Sequence, residues 1–292
     1  MSESPPLRLH EDAPFFREAL AFTVAETGFA ARLIEKDYYC SLLLQHLARA
    51  ECPIVFKGGT CLAKVHAGFY RLSEDLDFVV PTEVDAPRAE RRRRAAGPKA
   101  AVASLREHSA LRLITGLTGA NDSTQYGAVV GYTSLLGPQA ETIKIEVGLR
   151  EPLLTPAEHG QAETLLLDPI SGSALVVPLP VPCLSRPEAM AEKLRAALSR
   201  REVAIRDFYD VDYAVRKLGL RVEDPNLVRL VRAKLEVPGN DTVDVSAARL
   251  DALQSQLMSQ LRPVLRDRDF AEFDLERAFQ SVTEVATAVA ER

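Results

Sequence analysis

The sequence predicts an α/β N-terminal part, a mixed sheet with flanking helices, followed by an all-α C-terminal part. Three observations predict it. Short apolar runs stopped by glycine or proline, "CPIVFKGG" and "DLDFVVP", are interleaved with helical stretches. Two further segments, "GAVVGYTSL" and "ETIKIEVGL", read as a pair of strands, and the second alternates cleanly. After Ser185 everything reads as helices joined by short breaks such as "EDPN" and "VPGND". The expected division is residues 1–185 and 186–292.

Taken in order, Phe15 to Ala48 reads as helix, with Ile34, Tyr38, Leu42 and Leu43 on one stripe. "CPIVFKGG" is a strand that ends in a tight turn, and "TCLAKVHAGF" a helix with Thr60 near its N-terminus. "DLDFVVP" is a strand closed by Pro81. Residues 82–110, dominated by Arg and Ala, are expected to be helical. "ALVVPLPVPCLS" is extended and proline-rich. Ser185 and Glu188 fit a capping box, with Pro187 in the first turn. Met190, Leu194 and Leu198 form the buried stripe of that helix. Ile205, Phe208, Val211 and Val215 form the core face of the next.

Hydrophobic residues at 47% and charged residues at 26% are ordinary for a globular chain, which argues against disorder. A net charge of −5 excludes a general positive coat for nucleic acid but leaves room for a local basic groove. Cys40, Cys52, Cys61 and Cys183 are scattered, with no CxxC pair and no His at ligand spacing. A zinc site is therefore not expected, and a reducing cytoplasm is. The N-terminus lacks the basic and apolar regions of a signal peptide. No apolar run approaches the roughly twenty residues that span a bilayer, so no membrane association is expected.

The chemistry concentrates between residues 56 and 80. Side chains two apart on a strand share a face, so Ser73, Asp75 and Asp77 project together while Leu76 and Phe78 face the core. Two carboxylates so placed repel unless a cation lies between them. On "ETIKIEVGL", Thr142, Lys144 and Glu146 share a face. If that strand lies beside the first, Glu146 completes an all-oxygen set suited to Mg²⁺. A plain solvated strand face is the competing reading for each acid. Gly58 and Gly59 precede a helix whose first amides point outward, a natural cradle for phosphate. Thr60 adds a hydroxyl donor, and Lys57 and Lys64 add charge nearby. The pair fits neither a Walker A loop nor GxGxxG, and its value lies in its position upstream of the acids.

Farther along, Lys193 flanks the buried stripe of its helix, and Asp207 and Asp210 are i, i+3 neighbours on the following one. Solvated helix flanks are the ordinary alternative for all three. "RRRR" at 91–94, with Arg88 and Lys99, reads as a solvated face or as a track for an RNA backbone.

With "IEKDYY" ahead of them, "GGTCLAK", "RLSEDLDFVV", "IKIEV", "AEKLRAAL" and "RDFYDV" follow in an order that resembles the AbiEii/MenT-type nucleotidyltransferase toxins of the polymerase-β-like superfamily. The likeness runs from about residue 34 to 215, and the C-terminal helices fit less specifically. It implies a nucleotidyltransferase lobe, a helical lobe and an active site in the cleft between them. It also implies an NTP substrate, Mg²⁺, a DNA-binding antitoxin partner and, in some relatives, nucleotide transfer to the 3′ end of tRNA that stops translation. Carried over by position, Asp75 and Asp77 are metal ligands and Lys193 faces the triphosphate. Asp207 or Asp210 is the helix aspartate, and Ser73 matches a serine just ahead of the acids, alternatively a phosphorylation switch. Glu146 is the third acid by superfamily logic. The implied reaction is in-line transfer to an RNA hydroxyl. Rival readings are transfer to a protein or small-molecule hydroxyl, and a non-catalytic nucleotide- or partner-binding protein of the same fold.

Overall fold

Where periodicity predicts one helix over residues 15–48, the computed structural model, which describes residues 7–50 and 52–291, has two. They are α1 (Ala13–Thr27) and α2 (Ala31–Arg49). Gly28 ends α1 in the left-handed conformation, φ 77°, with its N–H on the Val24 carbonyl, a termination that glycine makes at little cost. The N-terminal stretch judged not to be a signal peptide begins in residues 1–6, which lie outside the described residues. No helix among the described residues is long and apolar enough to cross a membrane.

The chain divides into two units, one running to Leu153 and taking in Ala157–Cys183, the other comprising Leu154–Pro156 and Leu184–Arg292. The first holds a mixed seven-stranded sheet: β1 (Val55–Lys57), β2 (Leu76–Val79), β3 (Arg112–Ala120), β4 (Gln125–Thr133), β5 (Ala140–Gly148), β6 (Glu158–Ala162) and β7 (Leu179–Cys183). Their order is β3-β4-β5-β2-β1-β7-β6. The pairs β5/β2 and β1/β7 are parallel, and the other four are antiparallel. The strands expected in "CPIVFKGG", "DLDFVVP", "GAVVGYTSL" and "ETIKIEVGL" are present as β1, β2, β4 and β5, and the extended "ALVVPLPVPCLS" contains β7.

The two strands the sequence did not announce, β3 and β6, are the two edges. Only Leu117 of β3 and Ala162 of β6 are buried, so neither carries the alternation that marks a half-buried strand. The central strands do. Leu76 and Phe78 of β2 and Ile143, Ile145 and Val147 of β5 are all buried in one continuous core, each worth about 1.5–3 kcal/mol in apolar burial.

Between β1 and β2 the chain makes α3 (Gly58–Cys61), whose continuation Leu62–His66 is a π-helical turn. Residues 82–110 contain α4 (Arg88–Arg94), α5 (Ala96–Ala103) and a 3₁₀ turn, Ser104–Glu107. Helix α2 braces this framework with three consecutive charged residues, all buried. Glu35 accepts from Ser134 Oγ and the Leu135 amide. Lys36 pairs with Glu74 at 2.9 Å, and Asp37 with Lys64 at 2.7 Å.

The second unit is helical: α6 (Arg186–Ser199), α7 (Ile205–Lys217), α8 (Pro225–Glu236), α9 (Ala247–Gln256), α10 (Asp267–Glu272) and α11 (Leu275–Ala290). Met190, Leu194, Leu198, Ile205, Phe208 and Val211 are buried as the stripes predict, whereas Val215 is half-buried and Ala214 takes the core position. Ser185 caps α6 by accepting from the Glu188 amide. The Glu188 carboxylate does not act as the return half of a capping box. It accepts from the Leu154 and Thr155 amides and from Thr155 Oγ1, and pairs with Lys234 at 2.8 Å.

Candidate active site

The glycine turn is locked to the acidic strand by contact. Gly58 has φ 76°, and a β-carbon there would overlap Asp77 Oδ2 and lie 2.8 Å from the Asp77 Cβ. Only glycine admits both the backbone angle and the carboxylate. Thr60 is buried, and its hydroxyl donates to the Asp75 carbonyl. The hydroxyl expected to serve as a phosphate donor is thus hydrogen-bonded to the acidic segment. What remains at the start of α3 is the backbone N–H groups.

Asp77 lies in a row across the sheet. Its Cα partners are Lys57 on antiparallel β1 and Glu146 on parallel β5, and Gly127 on β4 continues the row beside Glu146. Directly paired residues share a face, so Asp77 stands between a cation and a second carboxylate. Asp77 is half-buried, and Glu146 is exposed and accepts from Gln125 Nε2 at 3.2 Å. Asp75 is half-buried and sits one residue before β2 begins, so the strand-face argument reaches Asp77 and stops short of Asp75. The three carboxylates do not close into a tight set. Among the described residues the trio of His, Cys, Asp or Glu whose ligand atoms fall within 4.8 Å of one another is a different one, Cys61, His66 and Cys183.

An oxygen-ligated divalent ion nonetheless suits this corner. Mg²⁺ is commonly held by one or two carboxylates together with substrate phosphates and water. Half-exposed Asp77 and exposed Glu146, in register on adjacent strands, offer that donor chemistry.

Arg71, not singled out by the sequence reading, joins Ser73 in completing the turn. Arg71 is buried, and a β-carbon on Gly59 would lie 2.5 Å from its terminal nitrogen and 3.1 Å from Ser73 Oγ. A guanidinium and a hydroxyl thus press against the second glycine, and the signal was available in the "R" and "S" of "RLSEDLDF". Glu74, between Ser73 and Asp75, is held by Lys36 and by Arg32 at 3.0 Å. Burial pushes its carboxyl up, but hydrogen bonds and charge from Lys36 and Arg32 prevail and hold it below the usual range. Lys64, by contrast, is not a surface charge for phosphate. Its side chain is 0% exposed and bound to Asp37 and to Ser41 Oγ.

In the helical unit, Lys193 meets both candidate aspartates, Asp207 Oδ1 at 2.9 Å and Asp210 Oδ2 at 2.8 Å. Asp207 and Asp210 are buried, where exposed helix acids were the ordinary alternative, and Arg200 reaches Asp207 at 3.4 Å. Both aspartates that the sequence leaves as alternatives contact the same ammonium. The arginine run on α4 is largely occupied locally. Arg94 pairs with Glu90 and donates to the Pro81 carbonyl, and Arg91 donates to that of Val84.

The cysteines that look scattered in the sequence are partly brought together by the fold. Cys61, His66 and Cys183 meet in the first unit. A hydrogen bond from Cys61 is the chief cause that pulls the Cys183 thiol down to about 5, against burial that raises it and with help from His66.

The MenT4 nucleotidyltransferase toxin of Mycobacterium tuberculosis H37Rv shares this architecture. The TM-score is 0.51 at 20% identity, over 93% of this chain and 98% of that one. The fold is thus that of a nucleotidyltransferase. Over residues 42–285, more than half of its length, the sequence matches the nucleotidyl transferase AbiEii toxin family of type IV toxin–antitoxin systems, and the chain belongs to that family. Two Helicobacter pylori structures are more distant in shape. One, assigned as a nucleotidyltransferase, has TM-score 0.49 at 17% identity over 87% of this chain and 95% of its own. The other, JHP933, has 0.47 at 16% over 87% and 92%. No curated protein matches the sequence significantly. Family membership makes the chain a nucleotidyltransferase toxin, with an NTP as substrate, a divalent metal typical of such enzymes, and an antitoxin as its partner.

Proposed function

We propose that this toxin transfers nucleotides from an NTP to an RNA hydroxyl, the 3′ end of tRNA, with Mg²⁺, and thereby blocks translation in the cytoplasm. The observation that carries the reading is the seating of the Asp77 carboxylate directly on Gly58, in register with Glu146. A phosphate held on the turn's amides would lie beside the carboxylates that recruit its counter-ion.

In this reading the backbone N–H groups of Gly58, Gly59 and Thr60 hold phosphate oxygens, and Arg71 beneath Gly59 adds fixed positive charge. Asp77, Asp75 and Glu146 hold the divalent ion, whose chemistry when bound is to neutralise charge on the reacting phosphoryl group. Lys193 serves the triphosphate, and Asp207 and Asp210 are positioning residues that keep its ammonium oriented. Catalysis is then mostly placement and charge compensation. Ser73 Oγ lies against Gly59, so a phosphoryl group added there would occupy the turn with like charge and switch the enzyme off. The antitoxin is proposed to be a DNA-binding protein encoded nearby.

Incubation with tRNA, with bulk protein and with each labelled NTP, with and without Mg²⁺, tests the reading. Label on the tRNA 3′ end that depends on Mg²⁺ and on Asp77 supports it. Label on protein or a small molecule alone moves the acceptor, and no transfer to any acceptor sinks it.

A further inference from the structure

The helix that starts at the glycine turn ends in an unusual way. In an α-helix, residues five apart are about 140° apart around the axis, which is why Cys61 and His66 carry no ligand spacing in the sequence. Leu62–His66 is instead π-helical. Hydrogen bonds from i to i+5 bring residues five apart onto one side, and single π-turns recur at functional sites. Cys183, the last residue of β7, supplies the third group. It is the Cα partner of Phe56, two residues before Gly58. The ligand atoms of Cys61, His66 and Cys183 all lie within 4.8 Å of one another. Both cysteines are fully buried and His66 is half-buried. Gly160 on β6 closes over the site, where a β-carbon would come within 2.7 Å of Cys183 Sγ.

We propose that Cys61, His66 and Cys183 form a three-ligand site for a soft divalent cation of the zinc class, separate from the oxygen-ligated site at Asp77. Two thiolates and an imidazole are the donor set that zinc prefers over Mg²⁺. Zinc bonds of about 2.3 Å to sulfur and 2.0–2.1 Å to nitrogen put tetrahedral ligands roughly 3.5–3.8 Å apart, within the span these atoms already occupy. Three protein ligands leave one position for water on the side where His66 reaches the surface. The ion clamps the end of the glycine-turn helix to β7. Its occupancy therefore fixes the element from which the turn's amides project.

The test uses the full chain after chelator dialysis, titrated with Co²⁺ and then with Zn²⁺. The expected result is one cobalt per chain, with a thiolate-to-cobalt charge-transfer band and tetrahedral visible bands that Zn²⁺ abolishes. His66→Ala and Cys183→Ala should each weaken binding by more than about 100-fold, beyond the 10–100-fold typical of supporting residues around a metal. Cys52→Ala should leave it unchanged. His66 is half-buried, so its variant folds, and circular dichroism checks this. Zn²⁺ should also raise the melting temperature of the wild type and not of His66→Ala, because binding to the folded state alone stabilises it. No charge-transfer band in folded wild-type protein, a band unaffected by His66→Ala and Cys183→Ala, or a Cys61–Cys183 disulfide in place of metal uptake each overturns the proposal. None of these readouts depends on nucleotide transfer.

Discussion

Asp77 and Glu146 are Cα partners across the parallel strands β2 and β5, like charges set side by side in the middle of the sheet. Directly opposed like charges destabilise a sheet, so the Asp77–Glu146 contact taken by itself is a cost to folding, set against Lys57 on the other side of Asp77. Asp77→Asn should therefore leave the melting temperature of metal-free protein unchanged or raise it. The same variant should lower nucleotide transfer by about 10²–10³-fold or more, the scale of losing one well-placed electrostatic group. Melting curves with and without Mg²⁺, alongside labelled-NTP transfer, read both effects. A variant that melts lower yet transfers normally would reverse the assignment.

Gly58→Ala should fail on two counts. A side chain at φ 76° costs about 1–3 kcal/mol, and the new methyl overlaps Asp77 Oδ2. Urea unfolding should show that loss, and NTP binding by calorimetry should weaken even where the variant is fully folded. Gly68→Ala also has positive φ but meets nothing within 4 Å, so it should show the backbone cost while leaving NTP affinity intact.

The Glu74 carboxyl is held below its usual range by Lys36 and Arg32. Its stabilising contribution is present above the unfolded-state value near 4.5 and is lost as pH falls through the lower folded value. Glu74→Gln should cost about 1.5–3 kcal/mol at neutral pH, the range for a hydrogen bond to a charged group. The difference from wild type should shrink as the pH drops below about 4.5. Chemical unfolding across that window measures it, and a pH-independent difference would show that charge is not the cause.

Lys193 bridges two buried carboxylates, so its removal leaves them without their ammonium. Lys193→Ala should destabilise the helical unit by about 3–5 kcal/mol. Adding Asp210→Asn should restore part of the loss, giving a coupling energy of about 0.5–3 kcal/mol in a double-mutant cycle. Loss of activity in Lys193→Ala is informative only at temperatures where the variant remains folded, and unfolding followed by circular dichroism identifies them.

Local pattern was readable where burial imposes a period. "DLDFVV" and "ETIKIEV" revealed β2, β5 and their acids because one face of each is core. β3 and β6 were silent, being edges with one buried side chain each. Gly28 was a legible stop within the long N-terminal helix, overlooked because the apolar residues on either side continue. The charged pairs were beyond reach for a different reason. Asp37 and Lys64, or Lys36 and Glu74, are far apart along the chain, and only the assembled fold makes them neighbours. Cys61 and His66 could not be read as neighbours because their spacing has meaning only in a π-turn.

The strand order also has a consequence for synthesis. β1 and β2 are made first, yet each finds its second neighbour, β7 or β5, only from chain that follows much later. A nascent polypeptide that has not reached Ala140 has no partner strand to set a carboxylate opposite Asp77. One that stops before Leu179 leaves β1 open along one side. On the ribosome, then, the poison's sheet cannot be completed until the chain has been made through β7.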